Sequence, residues 1–138
     1  MDKQLIEEKL ESLRRSILRV EEKYRVSKDV LQADYDAQDV IALNLTRAVQ
    51  LCVDIATHII SQTEILPPAT MAEVFVKLVE INLISSELSN KMISAVGFRN
   101  VAVPSYDQIN WDIVKSICEY NLQDFKQFAK AMDTRLNN

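Results

Sequence analysis

Residues 36–62 read DAQDVIALNLTRAVQLCVDIATHIISQ. Apolar side chains recur at Ile41, Leu45, Ala48/Val49, Cys52, Ile55/Ala56 and Ile59, and that spacing predicts one long helix with a single buried stripe, from about Asp36 to Gln62. Asp34, Asp36 and Asp39 stand at its start, where carboxylates meet the positive end of the helix dipole. Pro67-Pro68 bars any continuation.

The same periodicity extends in both directions. Towards the N-terminus, Leu5/Ile6, Leu10, Leu13, Ile17, Val20 and Tyr24 mark a first amphipathic helix over residues 2–25. It breaks near Val26–Ser27, where Ser27 is expected to cap a short turn through Leu31. Towards the C-terminus, Thr70 begins a third helix with Val74, Leu78 and Ile81, and Asn82 suits a left-handed terminus. Ser85 or Ser86 caps a fourth helix carrying Leu88, Met92, Ile93 and Val96, which Pro104 ends by about Ala102. Asn110 caps a fifth, Trp111 to about Leu136, with Ile113/Val114, Ile117, Tyr120/Asn121, Phe125/Phe128 and Met132 inward. Short loops between such helices predict an all-α protein, an antiparallel four- to five-helix bundle forming one domain over residues 1–138.

Composition narrows the class. The 138 residues are 48% hydrophobic and 26% charged with 1 Gly and 3 Pro, which excludes a disordered chain, a collagen-like repeat and a turn-rich β-sandwich. A net charge of −4 argues against coating nucleic acid by bulk electrostatics, though a local basic patch remains open. Cys52 and Cys118 form no Cys-x-x-Cys pair, and His58 is the single histidine, so a zinc site has no donor set. The charged start, Met1-Asp2-Lys3-Gln4, does not read as a signal peptide, and no apolar run of about 18 residues appears; the expectation is a reduced, cytoplasmic protein.

Several clusters look chemical and have plainer explanations. Asp34-x-Asp36-x-x-Asp39 resembles a calcium loop, but its sixth position would be Asp39 instead of Gly and its twelfth Leu45 instead of Glu. His58 as general base lacks an orienting partner in the sequence, and the cysteines fall at core positions. Arg14, Arg15, Arg19 and Arg25 make the first helix basic, yet Glu7, Glu8, Glu11, Glu21 and Glu22 are interleaved with them, as on an ordinary solvated face.

Residues 97–106, GFRNVAVPSY, are different. On residue types alone, Gly97 eases helix packing, Arg99 and Asn100 satisfy carbonyls at a helix end, and Pro104 terminates it. The segment also resembles the signature of the HEPN family, specifically the HepT-like toxins of type VII MNT/HEPN toxin–antitoxin modules. That signature is Gly-Phe-Arg-Asn, three mostly apolar residues, His, any residue, Tyr. Gly97, Phe98, Arg99, Asn100, Val101-Ala102-Val103 and Tyr106 match; Pro104 stands where the histidine would be. Residues 44–56, NLTRAVQLCVDIA, and 109–114, INWDIV, are similar to the family's second helix and the start of its last, so the resemblance covers nearly the whole chain.

The resemblance implies a metal-independent, cofactor-free ribonuclease acting as a homodimer on mRNA or tRNA. Its signature segments would line a cleft between protomers. Arg99 would stabilise charge developing on a phosphate, and Asn100 would orient the substrate or the arginine. Tyr106 would receive AMP from a partner MNT-type nucleotidyltransferase antitoxin. Pro104 cannot take or give a proton, a step typically worth about 10²–10⁴-fold in rate. The alternative is a non-catalytic HEPN dimer that binds nucleotide, RNA or a protein partner; a helical adaptor without a nucleic-acid role is the third reading. Two structural expectations follow. The apolar run from Val74 to Ile84 should leave a stripe for a second copy, and Tyr106 should be solvent-accessible within reach of Arg99.

Overall fold

The two longest helices begin in the same way. The Asp2 carboxylate accepts the Leu5 backbone N–H at 3.0 Å and the Asp34 carboxylate accepts that of Ala37 at 3.0 Å, each satisfying a donor that the first helical turn would otherwise leave free. The structure is a computed structural model describing residues 2–137; Met1 and Asn138 lie outside the described residues. It contains α1 (Lys3–Ser27), α2 (Tyr35–Ser61), α3 (Glu73–Glu80) and α4 (Ser86–Ala102). A single 3₁₀ turn, Tyr106–Gln108, leads into α5 (Trp111–Ser116), which runs through a π-helical stretch, Ile117–Asn121, into α6 (Leu122–Leu136). Among the described residues there is no strand, and the fold is all-α as expected.

The expected caps are largely in place. Ser85 caps α4 by accepting from Leu88 N–H, and Asn110 caps α5 by accepting from Asp112 and Ile113. Asn82 has φ 60°; Leu83 N–H reaches back to Leu78 C=O at 2.9 Å and Asn82 N–H to Val79 C=O at 3.0 Å, the paired bonds of a Schellman terminus. Ser27 departs from expectation. It is the last residue of α1, and its buried hydroxyl donates back to Lys23 C=O at 2.6 Å instead of capping the turn that follows.

α2 is the central element, contacting α1, α3, α4 and α6, and every residue of its expected stripe is buried. Its length and apolar composition would suffice to cross a bilayer, which the expectation of no spanning stretch had discounted, but more than half of its most apolar window lies inside the bundle. α1 lies antiparallel to α2, with Asp2 N–H beside His58 Nε2 at 3.4 Å. On the other side of α1, Tyr24 Oη donates to Glu119 at 2.7 Å and Lys126 meets Glu21 at 3.0 Å, placing α6 antiparallel to it as well.

Two expectations of burial need correction. In the last helix, Val114, Cys118 and Leu122 face the core, whereas Ile113 and Tyr120 are exposed. The π-helical stretch widens one turn and advances the face, so residues four apart point the same way across it. The Val74–Ile84 stripe is not left over for a partner: Val74, Phe75, Leu78 and Ile84 are buried in the protomer's own core. Phe75 meets Phe128 edge to face, ring centroids 5.8 Å apart at 78°, and that contact fastens α3 to α6.

Phe128 is fully buried. Phe128→Ala should lower the unfolding free energy by about 3–5 kcal/mol, read as a drop in the urea midpoint with little change in slope.

Candidate functional site

Pro104 shapes the end of α4. Hydrogen bonds from Val103 N–H to Arg99 C=O (3.1 Å) and from Ser105 N–H to Val101 C=O (2.9 Å) carry helical bonding just past Ala102. Pro104 has no N–H for the Asn100 carbonyl between them, and beyond Ser105 the chain turns sharply. The turn delivers Tyr106 to α2 and Asn110 to the start of α5.

Arg99 is half-buried on the last turn of α4. One guanidinium nitrogen lies 3.4 Å from the Asn100 side-chain oxygen, and Nε is buried with no acceptor. Among the described residues no carboxylate pairs with it, although eight ion pairs form elsewhere. The side chain is therefore not satisfying helix-end carbonyls, as its residue type alone would suggest. It presents an uncompensated charge with unfilled donors, the configuration that favours an incoming anion.

Tyr106 is 43% exposed, in agreement with the expected accessibility. Its hydroxyl donates to Asp39 Oδ1 at 2.5 Å, and its ring stands edge-on to Trp111 with centroids 6.1 Å apart. Among the described residues it makes no hydrogen bond to Arg99; its partner is the acid that sequence reading placed at the start of α2 for the sake of the helix dipole. Partial burial, then the hydrogen bond to Asp39 and its charge, raise the Tyr106 hydroxyl above the ordinary tyrosine range.

Gly97 is exposed on α4, and a Cβ added there would meet nothing within 4 Å. It thus serves no close packing inside the protomer. It borders a cleft of about 510 Å³ between α4 and the π-helical stretch, together with Phe98, Val101, Ile109 and Ile113. The buried Asp124 also lines this cleft, held by Asn121 at 3.1 Å and Lys91 at 3.8 Å.

The other candidates lie apart from this site. From Asp39 to His58 is nineteen helical positions along α2, about 28 Å, so His58 sits at the opposite end of the bundle from Tyr106. Cys52 and Cys118 are buried; burial raises both thiols, Cys118 to about 12 with Glu119 adding to it. Arg14 and Arg15 bond to Glu11 and Ser12 on their own helix face. Asp34 is occupied as a cap, and among the described residues no three His, Cys, Asp or Glu converge as metal ligands.

The helical bundle, with the signature segment at the end of its fourth helix, agrees with the HEPN class that the sequence resembles. The chain belongs to the HepT-like ribonuclease family, whose model matches residues 13–132. It is 36% identical over 128 residues to the mRNA nuclease HepT of Shewanella oneidensis, covering 93% of this chain and 96% of that one. It is 24% identical over 132 residues to the tRNA nuclease HepT of Aphanizomenon flos-aquae, covering 96% and 90%. Among solved structures, the tri-AMPylated Shewanella oneidensis HEPN toxin in complex with MNT antitoxin superposes with a TM-score of 0.88 at 34% identity, over 97% of this chain and 98% of that chain. A toxin–antitoxin complex with AMP-PNP gives 0.86 at 34% identity, over 96% and 98%.

Because burial, and after it the Asp39 hydrogen bond, makes the folded chain hold the Tyr106 proton more tightly than an unfolded one, the protonated tyrosine makes a small contribution to the native state that is fully present below the ordinary tyrosine value of about 10. That contribution is lost as pH rises through the raised value. Tyr24, buried and bonded to Glu119, is raised as well, so tyrosinate absorbance should show late titration of two hydroxyls. Tyr106→Phe should remove half of that amplitude and Asp39→Asn should move half of it to lower pH, whereas an unmoved titration in the Asn variant would mean burial alone sets Tyr106.

Proposed function

We propose that this chain is the toxin of a toxin–antitoxin module, acting on RNA in the cytoplasm as a homodimer and restrained by AMP transfer to Tyr106 from an MNT-type nucleotidyltransferase. The observation that carries the reading is Arg99, a half-buried guanidinium whose buried Nε has no acceptor and which has no carboxylate partner among the described residues, on the segment that matches the family signature. A phosphodiester supplies the missing anion, and Asn100, already in contact with the guanidinium, orients it. Nuclease relatives and the AMPylated structural neighbour support the same assignment.

Pro104 leaves the signature without its proton-transfer group, and His58 lies too far along α2 to substitute within the protomer. Binding and charge stabilisation survive such a loss, so the chain is read as an RNA binder whose cleavage is slow. For the homodimer, support comes from the open apolar face around Gly97, where Val101 is 42% and Ile113 54% exposed. Apolar side chains left uncovered beside a glycine suit close approach of another helix.

Wild-type protein should bind RNA and cleave it weakly. Arg99→Ala should weaken binding, and Pro104→His should raise cleavage by at least about tenfold once circular dichroism shows the variant folded. Vigorous wild-type cleavage dependent on Arg99 would show that the histidine position is dispensable; a folded Pro104→His protein that neither binds nor cleaves would remove the nuclease reading. Sedimentation at micromolar concentration should give about twice the 15.8 kDa chain mass, and a species of one chain mass would defeat the dimer.

A further inference from the structure

We infer that Asp39 is the general base for modification of Tyr106, so that the toxin itself supplies the group that accepts the phenol proton when AMP is transferred. This rests on Tyr106 being the modified residue. The nucleophile in that reaction is a phenol, and at neutral pH only about 0.1% of an ordinary tyrosine is ionised. Partial burial and Asp39 push the fraction lower still in this chain. Waiting for the free phenolate is therefore the slow route. The alternative is for the proton to leave as the new bond forms, which needs an acceptor already in place.

Asp39 meets that requirement in position and in chemistry. Its Oδ1 is the hydrogen-bond acceptor of the Tyr106 hydroxyl at 2.5 Å, within reach for direct transfer. Trp111 packs edge-on against the ring, and the hydroxyl is held on Asp39 while 43% of the residue remains open to an incoming donor. Charged groups close to the pair along the chain are Asp36 on the preceding turn of α2, Asp107 in the 3₁₀ turn and Asp112 on α5; Arg47 lies two turns on along α2, Lys115 on α5, and Arg99 on α4. Of these, Asp112 is bonded to Gln32 at 2.8 Å, and among the described residues Asp39 is the acid that acts on the hydroxyl.

In the step itself, Tyr106 Oη attacks the α-phosphorus of ATP and forms the Oη–P bond. The bond from that phosphorus to the bridging oxygen breaks, and pyrophosphate leaves with its electron pair. The phenol proton, made acidic as oxygen donates to phosphorus, passes to Asp39 Oδ1 and then to water. A purely structural purpose explains the pair poorly, since a contact between two exposed side chains adds little to stability.

The test follows AMP addition by intact mass, about 329 Da per transfer. It uses the full chain with the MNT-type nucleotidyltransferase encoded beside it or, failing that, the antitoxin of the Shewanella oneidensis complex. Asp39→Asn should slow transfer about 10²-fold at pH 7, in kcat and not in the KM for the chain, and Asp39→Glu should recover most of it. The ratio of wild-type to Asn rates should fall steeply with rising pH as hydroxide replaces the carboxylate, a trend from which the transferase's own pH dependence cancels. Equal rates for wild type and Asn, or a loss that is the same at every pH and not rescued by Glu, would overturn the role of Asp39. A Tyr106→Phe chain that still gains the mass would instead remove Tyr106 as the acceptor, and the inference with it.

Discussion

Burial of α2 is the constraint on which the other elements depend. Its apolar residues point towards α1, α3, α4 and α6 at once, and a helix covered from so many directions cannot shift along its axis without opening the core on every side. Its two ends are therefore fixed points. At one, His58 meets the start of α1; at the other, Asp39 meets the chain as it leaves α4. The functional segment thus rests on the best-packed element of the fold while remaining at its surface, which combines a rigid position with access.

Local rules decide most of what the sequence makes legible. Asp34, Ser85 and Asn110 are caps because their side chains can reach a backbone N–H two or three residues ahead, and Asn82 ends α3 because its short side chain tolerates a positive φ. All of these lie within reach of neighbouring residues. The π-helical stretch at Ile117–Asn121 was not legible, since Ile113, Ile117 and Tyr120 fit an unbroken α-helical stripe as well as Val114, Cys118 and Leu122 do. The sequence also could not say that Asp39 faces Tyr106, 67 positions away, because its place at a helix start already had a sufficient explanation. Arg99, Asn100 and Tyr106 stood out through the signature they match, whereas Asp39 belongs to no such motif.

Charge distribution matters more here than total charge. The chain is acidic, with a net charge of −4, and several of its bases, Lys3, Arg14 and Lys91 among them, are matched by acids one helical turn away. Arg99 stands apart because its Nε is buried without an acceptor, and the charge it carries acts locally. Anion recognition of this kind is short-ranged and geometric and does not depend on a field over the whole molecule. The consequence for Tyr106 is equally local. If Tyr106 is the modified residue as proposed, a phosphodiester on Oη would have no proton to donate to Asp39 and would place negative charge against the carboxylate, so the contact that holds the unmodified tyrosine would become repulsive.

Pro104 bears on both backbone and chemistry. It ends α4 with a residue that lacks an N–H, and the turn that follows brings Tyr106 onto Asp39. A histidine there would restore a titratable group and also a backbone donor for the Asn100 carbonyl, allowing α4 to continue. The substitution in the family signature therefore exchanges a proton-transfer group for a firmer helix end. What survives is the part of the site that needs no proton transfer at position 104: a guanidinium awaiting an anion, an amide beside it, and a tyrosine whose acid partner comes from another helix. In the proposed reading, phosphate binding would draw on Arg99 and Asn100, and tyrosine modification on Asp39 and Tyr106. On that reading, a proline at the histidine position would disable cleavage while leaving the tyrosine open to modification.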